Sequence, residues 1–276
     1  MVTWYSLSII IVLFFIDPSI EQGTLNFLDG YRSSCKHHQQ GNVNLIISAP
    51  HGGTLLPDDL PNRTIGGCLR KTGTNAGICT WWFNDTCTDG ERCNATTVRD
   101  TLSDEFAENV ANELNIQYQL KPFIVIAINK INQNFGKGLL LDIHGHSAGN
   151  YTMVGYLLTS NQLNVNHLNT LSVITSIDSL CGSNREECIR GHSSFGTALE
   201  LNNLGIAYPS LANPKPGALR FFSGGYITSN YKSTINTIQT ELPYDIRAGN
   251  NRRTHARNYA KAIIHYMKLN NLLLSN

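Results

Sequence analysis

Three clusters of polar residues in this chain stand where an apolar run ends, and two of them can bind a cation. In LLLDIHGHS (residues 139–147) Asp142, His144 and His146 alternate, so an extended backbone places all three on one face. Imidazole binds zinc and related ions, and a carboxylate either ligates the ion or orients a ring. The alternative is a buried polar cluster that satisfies itself by hydrogen bonding. In SAPHGG (residues 48–53) His51 leaves a second apolar run directly into two glycines, which allow close approach of backbone or substrate. Taken alone, such a histidine is more often a turn residue. In TIQTELPYDIR (residues 237–247) Gln239 and Glu241 share one face of an extended run and Arg247 follows. A glutamate beside a metal can take a proton from bound water. An arginine can hold a substrate carboxylate through two parallel hydrogen bonds. Read alone, Glu241 is equally an exposed edge-strand carboxylate.

The elements that must carry these groups follow from hydrophobic periodicity. Residues 43–49, 124–128, 138–143, 153–158, 218–222 and 237–242 predict strands. Residues 101–115 predict a helix with Leu102, Phe106, Val110 and Leu114 on one face, and 165–180, 194–204 and 254–273 predict three more. This alternation predicts a three-layer αβα fold of the α/β class, with a mixed, mainly parallel sheet covered on both faces. In open sheets of that kind ligands bind at the carboxyl ends of the strands, where the three clusters stand. One domain over residues 23–276 is expected, with a long irregular Cys-rich loop at about 54–97.

The chain has 276 residues and is 41% hydrophobic, enough for one sizeable core. Its formal net charge is +1 and no basic stripe is present, so composition gives no support for a nucleic-acid partner. The apolar run SIIIVLFFI (residues 8–16) is shorter than the roughly 20 residues that span a bilayer. It predicts an export signal over residues 1–22 and no membrane association after its removal, with an N-terminal membrane anchor as the alternative. Sequons at Asn62, Asn84, Asn94 and Asn150 and seven cysteines agree with a secreted, disulfide-bonded glycoprotein. Cys181 and Cys188 flank the polar stretch GSNREE and are expected to pair. The four cysteines from Cys68 to Cys93 predict two further bridges of open connectivity, leaving Cys35 over. A zinc ribbon there is the rival, but no close Cys-x-x-Cys pair supports it.

The order SAPHGG, LLLDIHGHS, FFSGGYITSNY (residues 221–231) and IQTELPYDIR resembles the N-formylglutamate amidohydrolase family, over about residues 43–247. SFGTALE (residues 194–200) is similar to secreted animal members. The resemblance implies a phosphorylase/hydrolase-like fold related to zinc carboxypeptidases and aspartoacylases, and one divalent metal ion, Zn²⁺. By motif it implies His51 and His144 as ligands, with Asp100, in RDTLSDEF (residues 99–106), as the third. Asp100 would otherwise read as a helix N-cap. It implies Glu241 as general base or acid and Arg247 as a carboxylate binder, with Gly224, Gly225 and Tyr226 lining the substrate site. His146 is counted with these substrate-binding residues. The family's Asp-x-Asn-Arg motif is degraded to Asn132-Gln133-Asn134-Phe135; Asn134 survives, and Lys130 is the candidate substitute for the lost arginine. The expected activity is hydrolysis of an amide or acyl bond in a small N-acyl amino acid or similar carboxylate substrate. The alternatives are a secreted non-catalytic binding protein of the same fold and a carboxypeptidase-like peptidase.

Overall fold

The computed structural model describes residues 9–13, 24–25, 38–39, 44–52, 67–71, 76–77, 79–81, 90–93, 100–114 and 124–273. In chain order the strands are β1 (Ile9–Leu13), β2 (Thr24–Leu25), β3 (His38–Gln39), β4 (Leu45–Ala49), β5 (Gly67–Arg70), β6 (Cys79–Trp81), β7 (Gly90–Cys93), β8 (Leu139–His146), β9 (Tyr151–Gly155), β10 (Ile206–Tyr208) and β11 (Asn236–Pro243). The helices are α1 (Ser103–Glu113), α2 (Ile124–Phe135), α3 (Ser160–Leu163), α4 (Asp178–Cys181), α5 (Arg185–Arg190), α6 (Phe195–Leu201), α7 (Tyr226–Tyr231), α8 (Tyr244–Arg247) and α9 (Arg252–Leu269). The chain divides into two compact units, one of residues 1–53 with 100–276 and one of residues 54–99.

The larger unit is built on a six-stranded sheet in the order β1-β4-β8-β11-β9-β10. The pairs β4–β8, β8–β11 and β9–β10 are parallel; β1–β4 and β11–β9 are antiparallel. The sheet is therefore mixed and mainly parallel. β4 and β8 lie inside it, covered on both faces, and this is why LIISA and LLLDI read as nearly unbroken apolar runs.

The pleat divides those runs between two cores. Leu45, Ile47, Ala49, Leu139, Leu141 and Ile143 face a large core with α1, α6 and α9. Ile46 and Leu140 face a smaller one with Ile124, Ala127, Ile128 and Ile131 of α2, Ile227 of α7, and Ile235. Helical layers thus cover both faces. In the large core Tyr259 of α9 meets Phe106 and Phe195 edge to face, and its hydroxyl pairs with Thr240 Oγ1 at 2.9 Å. α1, which follows Asp100 in the chain, is held on the sheet by this packing.

Several elements differ from the sequence reading. Residues 124–128 were expected as a strand, but they begin the helix α2. Ile124, Ala127, Ile128 and Ile131 recur at helical spacing and are the buried face. Residues 165–180 form no continuous helix, only a 3₁₀ turn at Leu168–Thr170 and the start of α4. Local bonds compete: Asp178 accepts from the Thr175 N–H at 3.0 Å and from its hydroxyl at 2.7 Å. Residues 218–222 are irregular, and Phe222 N–H contacts Met153 Sδ at 3.2 Å in place of a strand ladder. Residues 9–13, within the expected leader, pair with β4 as β1 at one edge of the sheet, which leaves the leader expectation as it stood.

Within the unit of residues 54–99, β6, β5 and β7 form a three-stranded antiparallel sheet. Cys79 and Cys93 are bonded, and Cys68 is also in a disulfide, which leaves no zinc ribbon there. In the larger unit Cys181 and Cys188 are bonded as expected. Among the described residues no helix is long and apolar enough to cross a membrane. Asn150 is exposed, immediately before β9; Asn62, Asn84 and Asn94 lie outside the described residues.

Candidate metal centre

Strand register assembles the floor of the site. Ser48 of β4 lies beside Asp142 of β8, and Asp142 beside Gln239 of β11. One pleat further on, His144 lies beside Glu241. These side chains share the face of Ile46 and Leu140, but at the carboxyl ends of the strands, where the apolar core gives way to polar groups. His51 follows β4 in the turn after Ala49.

Asp100 comes from a separate segment. Its N–H donates to the His51 carbonyl at 3.0 Å, and its own carbonyl accepts from Ser103 N–H at 3.0 Å. Leu102 between them takes φ +60°, a left-handed conformation that carries strain for a branched side chain. The Asp100 carboxylate caps no helix. It turns toward the histidines, and its Oδ2 accepts from Gly145 N–H at 3.1 Å. Gly52 makes this approach possible: a Cβ there would lie 2.3 Å from the Asp104 nitrogen.

Three side chains converge. Asp100 Oδ2 lies 3.5 Å from His51 Nδ1 and 3.4 Å from His144 Nδ1. The two rings meet edge to face with centroids 4.6 Å apart. One ligand atom from each residue lies within 4.8 Å of the others. Atoms bound at about 2.0–2.2 Å around a tetrahedral ion are separated by roughly 3.4 Å, so this spacing fits one shared cation. Behind the histidine, His144 Nε2 lies 2.9 Å from Asp142 Oδ2, and Ser48 Oγ donates to Asp142 Oδ1 at 2.5 Å. Asp142 therefore orients the ring and is not a ligand. This is the second-layer carboxylate that metal-binding histidines commonly use. His51 is half exposed, whereas His144 and Asp100 are largely covered, so one side of the site opens to solvent.

The electrostatics also favour a cation. Burial alone would push the Asp100 carboxyl up, but hydrogen bonds and charge from His144 and His51 outweigh it and hold it far below the usual range. Burial alone would push His144 down. The charge of Asp142, hydrogen bonds with Asp100 and Asp142, and the charge of Glu241 instead hold it well above an ordinary histidine. Burial, with the nearby Asp100 and Asp142, raises Glu241 to about 7 against the counteracting His144 charge and Gln239 hydrogen bond. Three carboxylates around one imidazole call for added positive charge, as a proton or as a metal ion.

Comparisons with protein-family models, curated proteins and solved structures find no match for this chain.

The other residues singled out by sequence divide into two groups. Gly225 N–H donates to Gln239 Oε1 at 2.6 Å, and Gln239 Nε2 donates to Glu241 Oε1 at 2.9 Å, so the glycine loop is tied to the centre. Gly224 takes φ +128° in that loop, and the exposed Tyr226 begins α7. His146 Nε2 donates to the Tyr151 carbonyl at 2.7 Å and its Nδ1 accepts from Ala148 N–H at 3.0 Å, so both ring nitrogens serve the loop. Arg247 is buried. Its Nε donates to the Leu242 carbonyl at 3.4 Å and its Nη1 to the Thr101 carbonyl. Through Thr101 it braces the Asp100 segment, and Gly145 leaves room for it: a Cβ there would lie 1.9 Å from Arg247 Nε.

Asn134 is exposed in the last turn of α2, by the amino end of β8 and so at the end of the strand opposite His144. Among the described residues no hydrogen bond or ion pair links Asn134 or Lys130 to the three converging groups. The helix explains this, because residues 132–135 lie within α2 and not in a loop beside the site. Sequence reading gave Ser48 and Gly145 no role, and it placed Leu102 on the apolar face of α1, a helix that this residue precedes. Their contributions are a register contact, a close approach and a backbone conformation, none of which leaves a residue-type pattern.

Proposed function

We propose that the chain is a metal-dependent amidohydrolase, with Zn²⁺ held by His51, Asp100 and His144, acting on a small N-acyl amino acid or similar carboxylate. The observation that carries this reading is the convergence of those three ligand atoms within 4.8 Å beside Glu241. The resemblance to N-formylglutamate amidohydrolases names the same residues independently of distance, and a phosphorylase/hydrolase-like classification of the fold is part of the same proposal.

A divalent ion in such a site supplies a Lewis acid and makes water a better nucleophile near neutral pH. The protein's own groups do the remainder. Asp142 and Ser48 fix the His144 ring with Nδ1 toward the site. Gln239 occupies Glu241 Oε1, so proton transfer falls to Oε2, from the attacking water to the leaving amine. A carboxyl raised to about 7 can accept and return a proton near neutrality.

The test is metal analysis of purified full-length protein followed by a hydrolysis screen on N-acyl amino acids. About one equivalent of zinc is expected, lost in His144→Ala, with turnover lost in Glu241→Gln while zinc is retained. A folded protein that takes up no divalent cation would end this reading. Zinc retention without any turnover would favour a non-catalytic binding protein of the same fold, and cleavage confined to peptide C-termini a carboxypeptidase. Secretion belongs to the same proposal: N-terminal sequencing of protein from a eukaryotic host should begin near residue 23, and a glycosidase should lower its mass. A chain that retains residues 9–13 overturns the leader.

A further inference from the structure

The loop from Arg220 to Gly225 is fastened to the sheet at four points. Tyr151 Oη donates to the Arg220 carbonyl at 2.9 Å, and Phe222 N–H meets Met153 Sδ at 3.2 Å. Leu157 N–H donates to the Ser223 carbonyl at 2.7 Å, and Gly225 N–H donates to Gln239 at 2.6 Å. Gly155 allows the loop to lie on β9, since a Cβ there would sit 2.7 Å from the Ser223 carbonyl. The register pairs Glu241 with Met153 and Gln239 with Gly155, so Tyr151, Met153 and Gly155 share the face from which His144 and Glu241 emerge. One end of the loop is tied to Glu241 through Gln239. The other is tied to Tyr151, whose carbonyl accepts from His146, two residues beyond His144.

At that second end stands Arg220. It is exposed, and its guanidinium carbon lies 4.9 Å from the centroid of the Phe222 ring. Among the described residues none of its N–H groups has an acceptor and no carboxylate pairs with it. A guanidinium set over an aromatic face keeps its N–H donors available to a carboxylate. Arg247 differs in each respect, being buried and donating to two backbone carbonyls. The floor of the site already holds Asp100, Asp142 and Glu241, so an anionic substrate end has to be met by a cation at the rim.

We propose that Arg220, stacked on Phe222, is the specificity-determining residue that receives the substrate carboxylate; this rests on the hydrolase reading for what the ligand is, but not for whether it binds. The test uses zinc-loaded full-length protein, titrated calorimetrically with glutarate and with its uncharged counterpart glutaramide. Wild type should bind glutarate more tightly. Arg220→Ala should weaken glutarate by about 10- to 100-fold and leave glutaramide unchanged. Arg220→Lys should recover part of the loss, because an ammonium supplies charge without the planar fork. Both variants should melt with the wild type, since the side chain is exposed. Equal affinity of wild type for the two probes, or an unchanged glutarate affinity in Arg220→Ala, overturns the proposal. Turnover of N-acetyl-L-glutamate is followed separately. Its absence, with Arg220-dependent glutarate binding intact, removes the hydrolase reading and leaves the anion site standing.

Discussion

Asp142 does its work one atom behind the ligands. It is buried, it accepts from Ser48 at 2.5 Å, and its other oxygen lies 2.9 Å from His144 Nε2. That contact decides which ring nitrogen of His144 faces Asp100. Asp142→Asn can still accept from one side, but it loses the charge that keeps Nε2 protonated. Zinc affinity should fall by about 10- to 100-fold with little change in fold, measured by competition with a chromophoric chelator. Ser48→Ala, which leaves the carboxylate in place, should cost less. Equal zinc affinity in Asp142→Asn and wild type would show that the ring is set by packing alone. The pattern Asp-x-His-x-His made these residues legible as a cluster, and alternation put them correctly on one face. It could not separate ligand from orienting group, since Asp, His and His each qualify by type. His146 illustrates the limit: it shares the face, yet both its nitrogens are used by the loop it begins.

At the scale of elements, the site exists because a strand, a turn and the start of a helix meet at one point. The meeting of the β4 turn with α1 depends on Gly52, where a Cβ would lie 2.3 Å from backbone of Asp104. Backbone cannot step aside as a flexible side chain can. Gly52→Ala should therefore move α1 outward, carry Asp100 with it, and destabilise the protein by about 1–3 kcal/mol. Chemical denaturation checks the first effect and zinc titration the second; an alanine variant with wild-type stability and metal affinity would mean the turn is not held this way. The strands of the centre were legible because buried parallel strands write themselves as apolar runs, as in LIISA and LLLDI. α2 was misread for a related reason. Its first residues are β-branched and apolar, and only the spacing of Ile124, Ala127, Ile128 and Ile131 against Ile46 and Leu140 marks a helix. Asn134 and Lys130 follow from the degraded Asp-x-Asn-Arg motif and not from the strand expectation, and both lie within α2. The segment 165–180 failed through local hydrogen bonds at Thr175 and Asp178 that periodicity cannot see.

For the molecule as a whole, the centre ties stability to pH and to metal. Burial raises Glu241 to about 7 from the usual 4.5, so over that interval the folded chain holds a proton that the unfolded chain releases. Stability then falls as pH rises, because the unfolded state binds fewer protons. The contribution of Glu241 is fully present below about 4.5 and is lost as pH climbs through about 7, a span of roughly 3 kcal/mol. Asp100 works in the opposite sense, contributing above its ordinary value and losing that contribution only in strong acid, so it does not mask the effect near neutrality. Metal-free protein should accordingly melt at higher temperature at pH 5 than at pH 7.5. Glu241→Gln, which keeps the side-chain shape without the titration, should make that slope shallower, leaving the part that His144, held above an ordinary histidine, adds as pH rises past about 6.5. Zinc should flatten it as well, by a different route, since a cation beside the carboxylate lowers its pKa and removes the cost of ionising it. The comparison needs four melting curves at each pH: wild type and Glu241→Gln, each with zinc and with chelator. If the metal-free wild type and the glutamine variant keep parallel pH profiles from 5 to 7.5, Glu241 is already ionised in the folded chain, and its place as the proton carrier must pass to another group.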